Sequence, residues 1–168
     1  MAVAGTTTDT AGRALDLSVL FQIDSINTTP KRMSLTVAAD DGTPYFITGL
    51  QKLVQRYVIL FMTAQGSNEY APAAGTVLIQ QYLNSAVTRR AQIIHLFHLS
   101  NTQVIDQIRR EDSSSAFGSS PPLDEQLASS QLVSFTIDTG TATVRLRVKL
   151  TSQSGDTAVF VLPVPRAS

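Results

Sequence analysis

The sequence predicts an α+β fold: a single domain with three helices packed on an antiparallel C-terminal β-meander, plus N-terminal antiparallel strands. Three observations predict it. Apolar residues recur at three- and four-residue spacings between positions 50 and 108, which is typical of helices. Apolar and polar residues alternate from position 133 onward, which is typical of strands. A length of 168 residues suits one domain with a substantial core.

The N-terminal part of the chain predicts two segments outside this core. Residues 1–14 are small and polar, and we expect a flexible N-terminal arm. Residues 15–48 predict an N-terminal β extension, because apolar residues alternate strictly over residues 15–23 and again over residues 33–37. A turn then leads into a predicted short strand at residues 45–48.

Residues 49–168 predict the α+β domain, which begins with three helices. The first helix starts near Leu50, and its apolar stripe contains Leu50, Leu53, Val54, Tyr57, Val58 and Phe61. The second covers Leu78 to Leu83. The third runs from Thr88 to Asp112, and its apolar residues are Ile94, Phe97, Val104, Ile105 and Ile108.

The last part of the chain predicts a loop and three strands. The loop covers residues 113–122, which are rich in Ser, Gly and Pro. Alternation predicts strands at residues 133–137, 144–150 and 158–164, with turns at 138–141 and 152–156. Because only about 45 residues follow the loop, we interpret both halves as parts of one domain.

Composition limits the classes of function. Thirteen Lys and Arg residues balance thirteen Asp and Glu residues, so no net charge attracts nucleic acid or anionic lipid. Charged residues make up only 15% of the chain, which indicates a surface covered by protein partners. There is no cysteine for disulfides or thiolate zinc sites. The longest apolar run, Tyr57 to Met62, is too short to span a bilayer, so we expect a soluble protein.

Two pairs of side chains are candidates for metal binding or catalysis. His95 and His98 lie three residues apart on the third predicted helix, but no third metal ligand is aligned with them. Asp124 and Glu125 are adjacent carboxylates, whereas glycoside hydrolysis needs two carboxylates that face each other across the bond. We therefore expect no catalytic, metal-binding or cofactor-binding residues, and a protein that is not an enzyme.

A row of basic side chains lies on the middle strand of the predicted meander. Arg145, Arg147 and Lys149 point away from the face that Val144 and Leu146 form. Three interpretations stay open: a solvated outer face, a contact with an acidic protein, or binding of phosphate groups. Nucleic acid is less favoured, because no aromatic residue lies between the charges.

The order of motifs from Gly49 to Val164 resembles the baseplate wedge, or sheath-initiator, proteins of contractile-tailed bacteriophages. In that family a helix is followed by a Gly-Ser step, an aromatic residue, a Pro and a Gly, a second helix, a long third helix, a short acidic motif and a β-meander. The loop residues that match are Gly66, Ser67, Tyr70, Pro72 and Gly75. The family's acidic motif is Glu-Pro-Arg followed by an aliphatic residue, and here Asp124-Glu125-Gln126-Leu127 stands in its place.

The resemblance implies a structural virion protein of the tail baseplate, assembled in the host cytoplasm. About six copies would form a ring around the tube end. They would link wedge proteins to the tube and template the first sheath ring by β-strand addition. The implied partners are the tail sheath protein, the tail tube and the wedge and hub proteins, without nucleic acid or membrane. The expected protein-interaction residues are Asp124, Glu125, Gln126, Leu127, Arg145, Arg147 and Lys149.

Three alternatives remain at this point. The first is another tail or neck connector protein, which would have the same composition and fold class. The second is a cell-wall hydrolase that uses Asp124 and Glu125. The third is a nucleic-acid-binding module that uses the row of basic residues on the middle strand.

Overall fold

The computed structural model describes residues 16–17, 46–83, 89–114, 120–138 and 143–165. These residues form three helices and a three-stranded antiparallel sheet, which confirms the α+β class. In chain order the elements are β1 (Asp16–Leu17), β2 (Phe46–Ile47), α1 (Gly49–Met62), α2 (Val77–Leu83), α3 (Arg90–Ser113), β3 (Leu127–Asp138), β4 (Thr143–Ser152) and β5 (Thr157–Pro165).

Strands β1 and β2 form a short ladder of their own. They pair antiparallel, with Asp16 opposite Ile47 and Leu17 opposite Phe46. The predicted arm at residues 1–14 and most of the predicted β extension at residues 15–48 lie outside the described residues, and both stay predictions.

The larger sheet has the order β3-β4-β5, so β4 is the central strand. Leu146 in the middle of β4 lies between Phe135 of β3 and Leu162 of β5. Strand β3 begins at Leu127, well before the alternation at residues 133–137 that predicted it. The reason is that β4 is long enough to pair with the polar residues that precede this alternation.

Strand β5 contains two prolines, Pro163 and Pro165, near its end. Both residues keep their register with β4, opposite Arg145 and Thr143. A proline is tolerated in an edge strand where its nitrogen faces away from the neighbouring strand, because no ladder hydrogen bond is then lost. Strand β5 therefore extends to Pro165.

The three helices cover one face of the sheet. Helix α1 contacts β4 and β5, α3 contacts β3, and α2 contacts α3. Burial follows the alternation predicted for β4, whose Val144, Leu146, Val148 and Leu150 face the helices. The stripe predicted for α1 is also buried, from Leu53 to Phe61. Within the described residues, no helix is long and apolar enough to cross a membrane.

The stripe predicted for α3 is confirmed at Phe97, Val104 and Ile108 but not elsewhere. Ile94 and Ile105 are only half-buried, while polar Ser100 and Asn101 face the core. The predicted stripe missed these two positions because it counted apolar residues alone. Each has a hydrogen-bond partner that offsets the loss of water on burial: Ser100 Oγ accepts from the Leu78 N–H, and Asn101 Oδ1 accepts from the Tyr57 hydroxyl.

Candidate protein-interaction site

The basic side chains of β4 lie on the face of the sheet opposite the helices, which we call the outer face. Burial alternates along β4, with Leu146 and Val148 buried beneath the helices. Arg147 is exposed, and Arg145 and Lys149 are half-buried between the flanking strands. The structure therefore places all three predicted basic residues together, in one line.

The residues directly opposite these three basic residues are uncharged. Directly opposed residues of antiparallel strands share a face, so the pairing register identifies them. The β3 side of the outer face contains Gln131, Ser134 and Thr136. The β5 side contains Val159, Val161 and Pro163. Within the described part of the chain, Arg147 and Lys149 form no ion pair, so their positive charge is not neutralised locally.

The outer edge of β5 is regular. All nine of its residues pair in an unbroken register with β4, and no described strand pairs with its other side. Backbone N–H groups of a strand point alternately to its two sides, and Pro163 fits a position whose nitrogen points outward. Val161 and Val159 lie two and four residues before Pro163 and have the same backbone orientation, so their N–H groups point to the outer edge. Val161 is 48% exposed.

The outer edge of β3 is less suited to receive another strand. Its register with β4 shifts between Leu127 and Ser129 and again between Leu132 and Ser134. Such irregularities bend a strand and discourage pairing at its edge. The Asn101 side chain of α3 also donates a 3.3 Å hydrogen bond to the Ser130 carbonyl. Strand β5 thus offers the more regular edge.

Glu125 is used inside the molecule. Its side chain is almost fully buried, and Oε1 accepts a 3.2 Å hydrogen bond from the Gly49 N–H at the start of α1. Oε2 lies 3.0 Å from Nζ of Lys52. Thr48, the N-cap residue, makes no side-chain capping bond, so Glu125 supplies the negative charge that favours a helix N-terminus. These contacts leave Glu125 poorly placed for general acid–base catalysis.

The neighbours of Glu125 also contribute to the fold. Gln126 Nε2 donates a 2.6 Å hydrogen bond to the Pro121 carbonyl, and the Gln126 carbonyl accepts one of 2.9 Å from Gln153 N–H. Leu127 is buried in the core, and Asp124 is half-buried. A contact of residues 124–127 with another protein stays a prediction. Their observed role is to attach the start of β3 to α1 and to the β4–β5 turn.

A buried polar cluster joins α1, α3 and β3, and the sequence did not reveal it. The Tyr57 hydroxyl donates to Asn101 Oδ1 at 2.7 Å and accepts from Ser130 Oγ at 3.1 Å. Burial raises the pKa of the Tyr57 phenol above its ordinary value, partly offset by the hydrogen bond from Ser130. The three residues are far apart in sequence, so no local spacing pointed to them. The cluster fixes how the helices sit on the sheet.

The loop between α1 and α2 is tightly braced. Thr76 donates its N–H to the Thr63 carbonyl at 2.8 Å and its hydroxyl to the Phe61 carbonyl at 2.8 Å. Gly66 N–H donates to the Pro72 carbonyl at 3.1 Å. The loop presents Tyr70, which is 96% exposed. The glycines, the tyrosine and the proline that carry the family resemblance therefore belong to one compact loop.

The residues considered for chemistry are not brought together. His95 and His98 are both exposed on α3. In the described ranges, no group of three His, Asp or Glu side chains is placed to hold a metal ion. A crevice lined by Leu78, Tyr82, Leu146 and neighbouring apolar residues has no room for a water molecule.

The outer face and the adjoining edge of β5 together form the candidate site. The edge presents backbone donors and acceptors, and the face presents positive charge, so the site is suited to bind another polypeptide. Comparison with protein-family models, with curated proteins and with solved structures finds no match to this chain.

Proposed function

We propose that this chain is a structural protein of a contractile phage tail baseplate, which links wedge proteins to the tube end and templates the first sheath ring. Its means is β-strand addition: an extended segment of a sheath subunit pairs with the outer edge of β5. The observation that carries the proposal is that edge, regular over Thr157–Pro165 and unpaired with any described strand.

The chemistry of such an edge needs no catalytic group. Each backbone hydrogen bond formed with the added strand contributes about 1 kcal/mol, and several in a row stabilise a complex that is specific for an extended segment. The N–H groups of Val159 and Val161 are the central donors. Pro163 and Pro165 have no N–H to offer, so pairing is limited to the first part of β5.

The order of elements also supports this proposal. The chain has a helix, a braced Gly-Tyr-Pro-Gly loop, a second helix, a long third helix and a three-stranded meander. That is the order in the wedge family that the sequence resembles. Six copies in a ring, with contacts to tube, wedge and hub proteins, belong to the same proposal.

Particles that lack this chain provide a direct test. We expect tails without it to have tubes and few or no attached sheaths, because the first sheath ring has no template. Restoring the wild-type chain should restore sheathed tails, as counted by electron microscopy. Sheathed tails in the absence of the chain would contradict the proposal.

Labelling distinguishes this proposal from a neck or terminator connector. An epitope tag fused to the chain should be found at the baseplate end of purified tails. A tag found at the head-proximal end would favour the connector.

A further inference from the structure

We infer that the strand received at the β5 edge carries carboxylate side chains on the outer face of the sheet. This inference rests on the proposed function and adds the chemistry of the partner. Its basis is the uncompensated positive charge of Arg147 and Lys149 next to that edge.

The distribution of charge points to an anionic partner. The chain as a whole contains equal numbers of basic and acidic residues. On the outer face, the positions directly opposite Arg147 and Lys149 contain only Ser, Gln and Val, and the nearest acidic register position of β3, Asp138, pairs with Thr143 beyond Arg145. Alternate residues of a strand lie about 7 Å apart, so Arg147 and Lys149 repel each other. A face made only for solvent would be better served by mixed charges.

The basic side chains are within reach of an added strand. That strand would lie two strand spacings, about 10 Å, from β4. Val161 separates Arg147 from it, and Val159 separates Lys149 from it. Both valines are short, so the aliphatic stems of the long basic side chains can lie over them with the charged groups beyond. Glu side chains on the added strand would meet these groups.

A polypeptide fits this surface better than a nucleic acid does. Proteins that bind single strands usually stack bases on aromatic side chains. The described outer-face positions contain no aromatic residue. Phe135 of β3 lies opposite Leu146, which faces the helices, and the Arg90 guanidinium covers its ring at 4.6 Å. The edge of β5, in contrast, offers backbone groups that only an extended polypeptide matches.

Two synthetic peptides test the inference. Both have nine residues, with Val and Thr alternating at the positions that face the helix side of the sheet. They differ only at the positions on the outer face, which are Glu in one peptide and Lys in the other. Fluorescence anisotropy measures their binding to the full-length chain at low salt. We expect the Glu peptide to bind about tenfold more tightly, with a smaller preference at high salt.

Matched variants assign the effect to the outer face. The double variant Arg147→Glu with Lys149→Glu should reverse the preference between the peptides. The control, Arg109→Glu with Arg110→Glu, makes the same change in net charge on exposed positions of α3. This control variant should keep the preference for the Glu peptide. Equal effects of the two double variants would overturn the inference.

A third variant separates this inference from the proposed function. Val161→Pro removes an outward N–H without changing charge and should prevent binding of both peptides. If Val161→Pro does not fold, Val159→Pro serves as the test in its place. If the peptides bind the wild type equally and the proline blocks both, strand addition stands and the carboxylate inference falls. If neither peptide binds the wild type, both fall. Tighter binding of a single-stranded oligonucleotide, lost in Arg147→Glu with Lys149→Glu, would also overturn the inference.

Discussion

Glu125 connects the helices to the sheet through a single buried carboxylate. It accepts the Gly49 N–H at the start of α1 and pairs with Lys52 one turn later, while its own backbone leads into β3. A buried carboxylate is tolerated only when its oxygens have such partners. The acidic motif of the sequence is thus part of the fold, whether or not residues beside it contact a neighbour.

Replacing Glu125 should destabilise the protein. Glu125→Ala removes the carboxylate that pairs with Lys52 and the acceptor of the Gly49 N–H, and we expect a loss of about 3 kcal/mol in the free energy of unfolding. Urea denaturation measures it. Glu69→Ala, on the exposed part of the α1–α2 loop, is the control and should change stability by less than about 0.5 kcal/mol. Similar losses in the two variants would contradict the role assigned to Glu125.

Removing the Tyr57 hydroxyl should also destabilise the protein. Tyr57→Phe keeps the ring but leaves Asn101 Oδ1 and Ser130 Oγ without their buried partner, which should cost about 2 kcal/mol. Tyr70→Phe removes a hydroxyl from a side chain that is 96% exposed and should cost almost nothing. Thermal or urea unfolding of both variants compares them. No difference between the two would mean that the buried cluster does not stabilise the fold.

The same hydroxyl predicts a dependence on pH. Because the pKa of Tyr57 is raised in the folded state, the unfolded chain releases this proton first as the pH rises above about 10. The wild type should therefore lose stability above that pH, whereas Tyr57→Phe lacks this contribution. The urea concentration at the unfolding midpoint should be higher for the wild type than for Tyr57→Phe, and this difference should become smaller from pH 8 to pH 10.5. A gap that stays constant or widens would be inconsistent with the raised pKa.

Among the elements, the α1–α2 loop depends on glycine for two different reasons. Gly66 and Gly75 both have positive φ, at 82° and 92°. A Cβ at Gly66 would meet open space, whereas one at Gly75 would lie 2.5 Å from the Thr63 carbonyl oxygen. Gly66→Ala therefore brings backbone strain alone, while Gly75→Ala also forces the two ends of the loop apart.

The paired alanine variants test this difference. We expect Gly66→Ala to cost about 1 kcal/mol and Gly75→Ala at least about 1 kcal/mol more, as measured by urea denaturation. If the two substitutions cost the same, the close approach of Gly75 to Thr63 does not constrain the loop.

The elements also differ in how well the sequence predicted them. The stripe of α1 was predicted because most of its buried residues are apolar and periodic, although buried Gln55 was missed. The stripe of α3 was predicted in part: it missed Ser100 and Asn101, which are buried with partners on other elements, the Leu78 N–H for Ser100 and the Tyr57 hydroxyl for Asn101. Val133 was predicted to alternate with Phe135 and Ile137, but it lies at a register shift of β3 and is exposed; Ile137 keeps its register with Val144 and is exposed as well. The exposure of such a residue depends on how its strand pairs with the neighbouring strand, which a local sequence pattern does not specify.

The candidate site was predictable only in part for the same reason. Alternation along β4 was enough to place Arg145, Arg147 and Lys149 on one face. The contribution of Val159 and Val161 depends on β5 being an edge strand, which follows from the strand order. The order of strands is a property of the folded chain, and single-strand periodicity does not contain it.

For the whole molecule, the two faces of the sheet differ in what covers them. One face is covered by the helices and holds the core, including Tyr57, Phe61, Phe97 and Phe160. The other face and the β5 edge remain uncovered by any described element. The proposed assembly role requires such a division between a packed core and an uncovered margin of the sheet.

Amide hydrogen exchange in the presence of the tail sheath protein tests the central claim most directly. In the free chain, the amides of Val159 and Val161 should exchange quickly, because they point away from β4. When the sheath protein is bound, both should become strongly protected, while the amides of the Tyr70 loop tip should change little. Slow exchange of Val159 and Val161 already in the free chain, or unchanged fast exchange in the complex, would contradict strand addition at β5.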